Sequence, residues 1–230
     1  MKTTGGTDDQ KRRAAERAAE LVSDGDVVGL GTGSTAAHAI RAIGRMVADG
    51  LDVRGVPTSF DSRALAREAG IPLRSLDEID GVDVAIDGAD QLDRNLAAIK
   101  GGGAAHAREK VVDAAADRFV VVADPTKVVE TLSRSVPVEV LPDARAAVER
   151  DVADLGGDVT LRRAERKDGP VVTDNGNLVL DCEFGTVDDP DGLAQDLSRL
   201  PGVVEHGLFV DLVDEAYVGT DDGVDVRTLE

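Results

Sequence analysis

The stretch AIKGGGAAHAREKVVDA, residues 98–114, combines a lysine, three successive glycines and a glutamate. Lys100 supplies a compact positive charge, and backbone N–H groups in the glycine run 101–103 can converge on an anion. Glu109 follows in a predicted helix, where a carboxylate can take up and return a proton. These residue types predict a site at which an anionic ligand is held while a proton moves.

The expected surroundings of Glu109 are apolar. On the predicted helix it shares one stripe with Ala105, Val112 and Ala116. A carboxylate among apolar neighbours has a raised proton affinity, which makes it a better general base near neutral pH. The alternative is a surface glutamate paired with a cation one turn away. However, the basic residues that flank Glu109 in sequence would face other directions on a helix.

A second glycine-rich stretch, GLGTGST at 29–35, lies between a predicted strand and a predicted helix. Its glycines permit a tight turn, Thr32, Ser34 and Thr35 add hydroxyls, and the helix start offers free N–H groups to an anion. Ser34 stands where a Rossmann fingerprint needs its last glycine, and the G-K-[ST] of a P-loop is absent. The stretch predicts a small phosphate or carboxylate site, or else a plain turn in which Ser34 caps the helix.

Two aspartates and another lysine follow neighbouring strands. Asp87 and Asp90 lie in IDGAD, residues 86–90, and Lys127 lies in ADPTKVV after the next strong strand. Carboxyl ends of parallel strands meet at one edge of a sheet, where ligands bind. Carboxylates can accept sugar hydroxyls or handle a proton there, although an Asp in such a turn can also simply cap its own backbone. No His or third acid stands at ligand spacing, so a metal is not expected.

Short apolar strands alternate with helices over the first part of the chain, which predicts a parallel sheet covered on both faces. The first helix is predicted over residues 8–22, with Asp8 or Asp9 as its cap, and the helix after GLGTGST over 34–48. Strands are predicted at residues 26–30, 82–86 and 118–124.

The pattern changes near Val136 to a β-α-β-β-α-β order, typical of a small split-βαβ domain. Asn175-Gly176 lies between two β runs and predicts a hairpin. The fold class is therefore α/β, a Rossmann-like open parallel sheet with a smaller ferredoxin-like α+β domain. We expect residues 1–133 plus 206–230 to form the Rossmann-like catalytic domain, and 134–205 the small domain.

Net charge excludes some partners. The chain carries a formal charge of −19, so nucleic acid and anionic membranes would be repelled. Trp is absent and Phe and Tyr total five, which also disfavours stacking on bases. With six lysines against twenty arginines, the acidic surface suggests adaptation to high salt. A merely acidic mesophilic protein is the alternative.

The cysteine content and the termini indicate a cytoplasmic protein. Cys182 is the lone cysteine, so no internal disulfide forms, and its apolar strand context predicts a buried core thiol. The N-terminus lacks an apolar signal core, and no run reaches the ~18 apolar residues of a membrane span. The three histidines, 38, 106 and 206, are expected to be structural or surface residues.

Taken together, the motifs resemble ribose-5-phosphate isomerase, type A. GLGTGSTAAH, DGAD, IKGGGAA with REK, VVADPTK, VPVEVLP and VVTDNGN occur in the order typical of that family, from about residue 10 to the C-terminus. Two positions depart from the usual pattern, Gln91 after DGAD and Ala107 before REK. Neither is a residue to which we assign chemistry.

The resemblance implies an aldose–ketose isomerase of the non-oxidative pentose phosphate pathway that needs no metal or organic cofactor and assembles as a homodimer or homotetramer. Glu109 would move a proton between C1 and C2 of ribose 5-phosphate through an enediolate, with Asp87 exchanging protons with sugar hydroxyls and Lys100 assisting. Which lysine meets the phosphate stays open. The implied substrate-binding residues are Thr32, Gly33, Ser34, Thr35, Asp87, Gly88, Ala89, Asp90, Lys100, Gly101, Gly102, Gly103 and Lys127.

Two other classes of protein fit parts of the pattern. A non-catalytic sugar-phosphate sensor would use the same loops without Glu109, and would bind without turnover. An amino-sugar phosphate deaminase or a coenzyme A transferase would share glycine-rich loops on a related scaffold. Glu109 in its REK context, together with Lys100 and its glycines, favours the isomerase over both.

Overall fold

The computed structural model describes residues 6–229. The helices are α1 (Asp8–Ala19), α2 (Ala36–Ala48), α3 (Phe60–Glu68), α4 (His106–Ala114), α5 (Arg145–Asp154) and α6 (Pro190–Ser198). The strands are β1 (Val27–Leu30), β2 (Arg54–Pro57), β3 (Val84–Gly88), β4 (Gln91–Leu92), β5 (Ala98–Ile99), β6 (Phe119–Ala123), β7 (Val136–Val140), β8 (Asp158–Leu161), β9 (Leu178–Glu183), β10 (Val203–His206), β11 (Leu208–Phe209), β12 (Glu215–Gly219) and β13 (Val224–Thr228).

The largest sheet has six strands in the order β13-β12-β6-β3-β1-β2. All neighbours are parallel except β13, which pairs antiparallel with β12 at one edge. Chain order reverses direction between β1 and β3, which is the point where open α/β sheets bind ligands. The open parallel sheet is as predicted, and the last two strands return to it.

Both faces of this sheet are covered. One core cluster joins alanines of α1, such as Ala14 and Ala18, to Ile40 and Ile43 of α2 and to strand residues. On the other face Val112 of α4 packs with Phe119 and Phe209 in a second cluster. Strands buried on both sides are therefore continuous apolar runs, and only their ends are free to carry polar residues.

A four-stranded antiparallel sheet, in the order β10-β7-β9-β8, forms the small unit with α5 and α6. Its elements follow the predicted β-α-β-β-α-β order. The predicted hairpin is present in a short form: Val172 makes an antiparallel bridge to Leu178 of β9, and the N–H of Thr173 donates to the Asn177 carbonyl at 2.9 Å. The longer partners of β9 are β7 and β8. The division of the chain into 1–133 plus 206–230 and 134–205 stays a prediction.

Glu139 orders the turn of this short hairpin. This buried carboxylate on β7 accepts hydrogen bonds from the side chains of Thr173, Asn175 and Asn177 at 2.9, 3.0 and 2.8 Å. The TDNGN segment is therefore a turn held by side-chain bonds to one oxygen in addition to its backbone bonds.

Two local features differ from the sequence-based expectation. Thr7, not Asp8 or Asp9, caps α1, in a capping box with Gln10 that satisfies two backbone donors. A small three-stranded sheet, β11-β5-β4, was not predicted because its strands have two residues each and show no periodicity. This sheet positions the site, because β5 ends at Ile99, directly before Lys100. Within residues 6–229, none of the helices has the length and apolar character needed to span a bilayer.

We expect the protein to become more stable as salt increases. Its formal charge of −19 makes the folded chain repel itself, and about 1 M salt screens charges beyond about 3 Å. The melting temperature in KCl should therefore rise between about 0.2 M and 2 M. NaCl at equal ionic strength is the control for a specific ion effect. A melting temperature that stays constant or falls would argue against adaptation to high salt.

Candidate active site

A cavity of about 300 Å³ opens at the carboxyl ends of β1, β3 and β6. It brings together every predicted substrate-binding residue except Asp87, and also Glu109. Two further lining residues, Lys11 and Asp61, were not predicted. The full lining is Lys11, Thr32, Gly33, Ser34, Thr35, Asp61, Gly88, Ala89, Asp90, Lys100, Gly101, Gly102, Gly103, Glu109 and Lys127.

Lys100 is the central cation of the site. Its side chain is only 2% exposed, and its Nζ lies 2.8 Å from Asp87 Oδ2 and 3.4 Å from Glu109 Oε2. The same ammonium donates to the carbonyl of Gly88 at 2.6 Å. It also lies 5.2 Å from the ring centroid of Phe209, a distance that allows a cation–π contact. These contacts fix one charge at the inner end of the cavity.

Asp87 lies behind Lys100 and is fully buried. Its Oδ1 accepts from the backbone N–H groups of Thr32 and Gly88 at 2.9 and 2.7 Å, while its Oδ2 contacts the ammonium. Gly31 allows this packing, because a Cβ there would lie 2.2 Å from Asp87 Oδ1. Asp87 thus caps its own turn, as the alternative interpretation had it, and also orders the GLGTGST loop and Lys100.

Glu109 lies on the buried side of α4 and reaches the cavity. Burial, with the negative charge of Asp87, raises its pKa to about 8, although Lys100 acts in the opposite direction. Burial alone would lower the pKa of Lys100, but the surrounding carboxylates of Asp87, Glu109 and Asp113 outweigh it and raise that pKa. A lysine that stays charged beside a glutamate that exchanges a proton near neutral pH is suited to proton transfer.

Asp113 is a buried acid that the sequence analysis did not single out. It lies one turn after Glu109 on α4, where an apolar face was expected, and its Oδ2 is 3.9 Å from Lys100 Nζ. Neither carboxyl oxygen has a hydrogen-bond partner within the described residues 6–229. Burial first, and the charge of Asp87 second, raise its pKa well above the ordinary value. The i, i+4 spacing from Glu109 was the available signal.

These two acids should make stability fall as pH rises. A carboxyl whose pKa is higher in the folded than in the unfolded state takes up a proton on folding, so its contribution to stability declines between the two pKa values. For Glu109 that window runs from about 4.5 to about 8. We expect Glu109→Gln to raise the free energy of unfolding at pH 8 by on the order of 2 kcal/mol. The gain should shrink as pH falls towards 4.5 and vanish below it, where the acid is protonated in both states.

Urea unfolding of the wild type and Glu109→Gln at pH 5 and pH 8, at constant KCl, measures this difference. Asp113→Asn should behave in the same direction, because it removes the same kind of buried acid. A Glu109→Gln variant that is less stable than the wild type at pH 8 would show that the carboxylate stabilises the fold.

The three glycines form a turn rather than a strand or helix. Gly101 has a φ of +100°, and its carbonyl accepts from the N–H of Ala104 at 2.9 Å. The N–H of Gly102 donates to Asp90 Oδ2 at 2.7 Å. A positive φ is accessible to glycine without strain, and the ring of His106 lies where a Cβ on Gly101 would be. The turn therefore places backbone polar groups, not side chains, against the cavity.

The loop at 32–35 is ordered by hydroxyls. Thr32 Oγ1 lies 2.8 Å from Thr58 Oγ1 and donates to Ser59 Oγ at 2.7 Å. Thr35, not Ser34, stands at the N-cap position of α2 and makes no side-chain cap bond, so the alternative of a plain turn in which Ser34 caps the helix does not account for the loop. Hydroxyls and N–H groups at the start of a 13-residue helix form a suitable anion site.

Lys11 and Lys127 form the outer, cationic part of the lining. Lys127 is half-buried, and burial first, then the charges of Arg134 and Lys11, lower its pKa against the opposing effect of Asp90. Lys11 comes from α1, far away in sequence, so the motifs could not reveal it. Three of the six lysines of this chain line one cavity, which supports the idea that lysine is retained where a compact charge is needed.

Residues that were predicted to be structural are buried and do not line the cavity. His106 and His206 are buried, and burial lowers their pKa to about 3 and about 4. Cys182 is completely buried in the core of the small unit. Gln91, one departure from the motif pattern, accepts the backbone N–H groups of Ser133 and Arg134 at 2.8 Å each, outside the cavity lining.

The geometry therefore provides a small cavity suited to an anion, with the buried carboxyl of Glu109 beside the buried ammonium of Lys100. Comparisons with known proteins agree. The family model Ribose 5-phosphate isomerase A (phosphoriboisomerase A) matches residues 54–223.

Ribose-5-phosphate isomerase A of Natronomonas pharaonis is 68% identical over 99% of this chain and 100% of its own length. That of Haloarcula marismortui is 69% identical over 98% of both. A solved D-ribose-5-phosphate isomerase in complex with phospho-erythronic acid is 42% identical, with a TM-score of 0.95, over 97% of this chain and 100% of that one. The chain therefore belongs to the ribose 5-phosphate isomerase A family, the enzymes that interconvert ribose 5-phosphate and ribulose 5-phosphate.

Proposed function

We propose that this chain isomerises ribose 5-phosphate by moving one proton between C1 and C2 through an enediolate, with Glu109 as the base. The observation that carries the proposal is the placement of Glu109. It is buried in the cavity, 3.4 Å from the ammonium of Lys100 and close to the glycine turn. Isomerisation moves a proton between adjacent carbons, so a single carboxylate that reaches both is sufficient.

Lys100 is proposed to stabilise the enediolate. Negative charge develops on the oxygens at C1 and C2, and preorganised donors that face such charge supply a large part of catalysis. Lys100 is held on one side by Asp87 and the Gly88 carbonyl, so its ammonium needs no reorganisation when the charge appears. The cavity lining also includes the glycine turn, whose N–H groups can add donors.

The phosphate is proposed to lie at the other end, between the 32–35 loop and the lysines at 11 and 127. The loop offers hydroxyls and helix-start N–H groups, and the two lysines supply charge. This assigns the lysines that the sequence left open: Lys127 and Lys11 to the phosphate, and Lys100 to the reacting carbons. Binding the tail in this way would hold the reactive end against Glu109.

The expected role of Asp87 changes in this proposal. Direct proton exchange with sugar hydroxyls was expected, but Asp87 is completely buried and does not line the cavity. Its contacts support a positioning role for Lys100 and the 32–35 loop instead. Asp90 does line the cavity, with Oδ2 occupied by Gly102, and is proposed to orient the sugar hydroxyls.

A relative supports the substrate class. The 42% identical isomerase binds phospho-erythronic acid, a phosphorylated sugar acid. Such a molecule carries a phosphate and a carboxylate, and the lining of this cavity includes three lysines, Lys11, Lys100 and Lys127. Assembly as a homodimer or homotetramer stays a prediction, as does the cytoplasmic location.

The test is conversion of ribose 5-phosphate to ribulose 5-phosphate by the purified protein in excess chelator, at low and high KCl. Running the reaction in D₂O should introduce deuterium at the carbons that exchange the proton. Binding without turnover would favour a sensor, and turnover of an amino-sugar phosphate in its place would favour a deaminase. Loss of activity in chelator would contradict a mechanism that needs no metal.

A further inference from the structure

Arg162 connects the antiparallel sheet to the glycine turn. It directly follows β8, and its Nη1 donates to the carbonyl of Gly101 at 2.8 Å and, more weakly, to that of Gly102 at 3.4 Å. Its side chain is 11% exposed. A charged side chain from the small unit thus binds the backbone of the glycine turn. Arg162 itself is not among the residues that line the cavity.

Asp181 fixes the guanidinium in place. It lies on β9, the partner strand of β8, and accepts from Arg162 through both carboxylate oxygens, with Nε to Oδ2 at 2.9 Å and Nη2 to Oδ1. A two-point pair of this kind sets the plane of the guanidinium as well as its position. The orientation of the remaining donor, Nη1, towards the glycine turn is therefore fixed.

The glycine turn requires an external restraint. Three successive glycines are flexible, and within residues 6–229 only two other hydrogen bonds hold the turn: Ala104 N–H to the Gly101 carbonyl, and Gly102 N–H to Asp90. The N–H of Gly103 has no acceptor in the part of the chain that the structure describes, and Gly103 lines the cavity. In a planar trans peptide the carbonyl and the N–H point in opposite directions, so holding the Gly102 carbonyl also directs the Gly103 N–H.

We propose that Arg162 is a positioning residue for isomerisation, which holds the glycine turn so that the Gly103 N–H faces the developing charge of the substrate. The inference rests on the proposed function and extends it, because it gives the small unit a part in catalysis. Arg162 makes no contact with the cavity itself and acts only through the turn. In the proposed function the phosphate of the substrate is bound by the 32–35 loop, Lys11 and Lys127. The loss of Arg162 should therefore affect the reacting carbons and not phosphate binding.

Arg162→Ala should lower kcat by about 10-fold to 100-fold, because small misplacements of catalytic groups cost rates of that order. Inhibition by inorganic phosphate should stay within about twofold of the wild type, since the 32–35 loop, Lys11 and Lys127 are untouched. Asp181→Asn should give a smaller loss of the same kind, and millimolar guanidinium should restore part of the rate of Arg162→Ala. Arg163→Ala is the matched control, because that arginine is exposed and makes no ion pair within residues 6–229.

Two results would overturn the inference while the wild type remains an active isomerase. One is wild-type kcat in both Arg162→Ala and Asp181→Asn. The other is a parallel loss of kcat and phosphate inhibition without rescue by guanidinium, which indicates general damage. If circular dichroism shows that Arg162→Ala does not fold, Asp181→Asn and Arg162→Lys serve as the test variants. Normal kcat in both would then overturn the inference. A wild type that does not turn over ribose 5-phosphate would instead refute the proposed function itself.

Discussion

Glu109→Gln is expected to lower kcat for ribose 5-phosphate by about 10³-fold or more, with little change in substrate affinity. The amide has the same size and keeps a polar oxygen near Lys100, but it cannot take up the proton. In the proposed arrangement the phosphate is bound by the 32–35 loop, Lys11 and Lys127, which do not depend on the Glu109 side chain. The loss should therefore fall on the chemical step.

The measurement is steady-state kinetics together with calorimetric titration of a phosphorylated sugar acid, such as phospho-erythronic acid. Glu68→Gln is the matched control, because Glu68 is exposed on α3 and its substitution makes the same chemical change away from the cavity. The variant should also be more stable than the wild type at pH 8, because the buried acid costs stability there. Turnover close to that of the wild type would remove Glu109 from the role of base.

The combination of lost activity and gained stability has a physical basis. Burial raises the proton affinity of Glu109 towards neutral pH, which is what the proposed base needs, and the same burial disfavours the charge of Glu109 in the folded state. A substitution that relieves the cost of the buried charge therefore also removes the group that can take up the proton. An inactive variant that melts higher would show that the site, not the fold, was damaged.

The sequence predicts most of the large sheet because its strands are buried on both faces. β1, β3 and β6 read as apolar runs of four or five residues, and the polar residues that follow them mark the carboxyl edge. β8 was overlooked because it is only four residues long, although its sequence DVTL alternates polar and apolar residues and packs Val159 and Leu161 against the core of the small unit. The β4 and β5 strands, with two residues each, are defined only by their partners.

The site was predictable where it depends on motifs next to strands and not where it depends on tertiary contacts. Glu109, Lys100 and the 32–35 loop follow local patterns, and the cavity includes them all. Lys11 lies on a helix that reads as an ordinary charged surface helix. Arg162 reaches the glycine turn from about sixty residues away in sequence. Asp113 was overlooked because an acid on a helix is usually solvated, and only the packed structure shows that this one is buried.

Lys100→Met is expected to abolish measurable isomerisation and to destabilise the fold by on the order of 3 kcal/mol. Methionine has a similar length and no charge, so the buried carboxylates lose their one close cation. Glu109 and Asp113 can respond by holding protons, because the pKa of each is already raised. Asp87 is the costly member, since its Oδ2 would be left buried with neither the ammonium nor another donor from residues 6–229.

Lys127→Met tests whether the effects expected for Lys100→Met are specific to Lys100 or follow from the loss of any lysine that lines the cavity. Lys127 is half-buried at the outer part of the lining, so its replacement should raise KM and weaken inhibition by inorganic phosphate while kcat and stability change little. Urea unfolding and steady-state kinetics on the two variants distinguish the ends of the cavity. If Lys100→Met changed only KM and Lys127→Met changed only kcat, the assignment of the lysines would have to be exchanged. A Lys100→Met variant as stable as the wild type would show that the contact between Asp87 and the ammonium contributes little to stability, and the proposed hold of Asp87 on Lys100 would have no energetic basis.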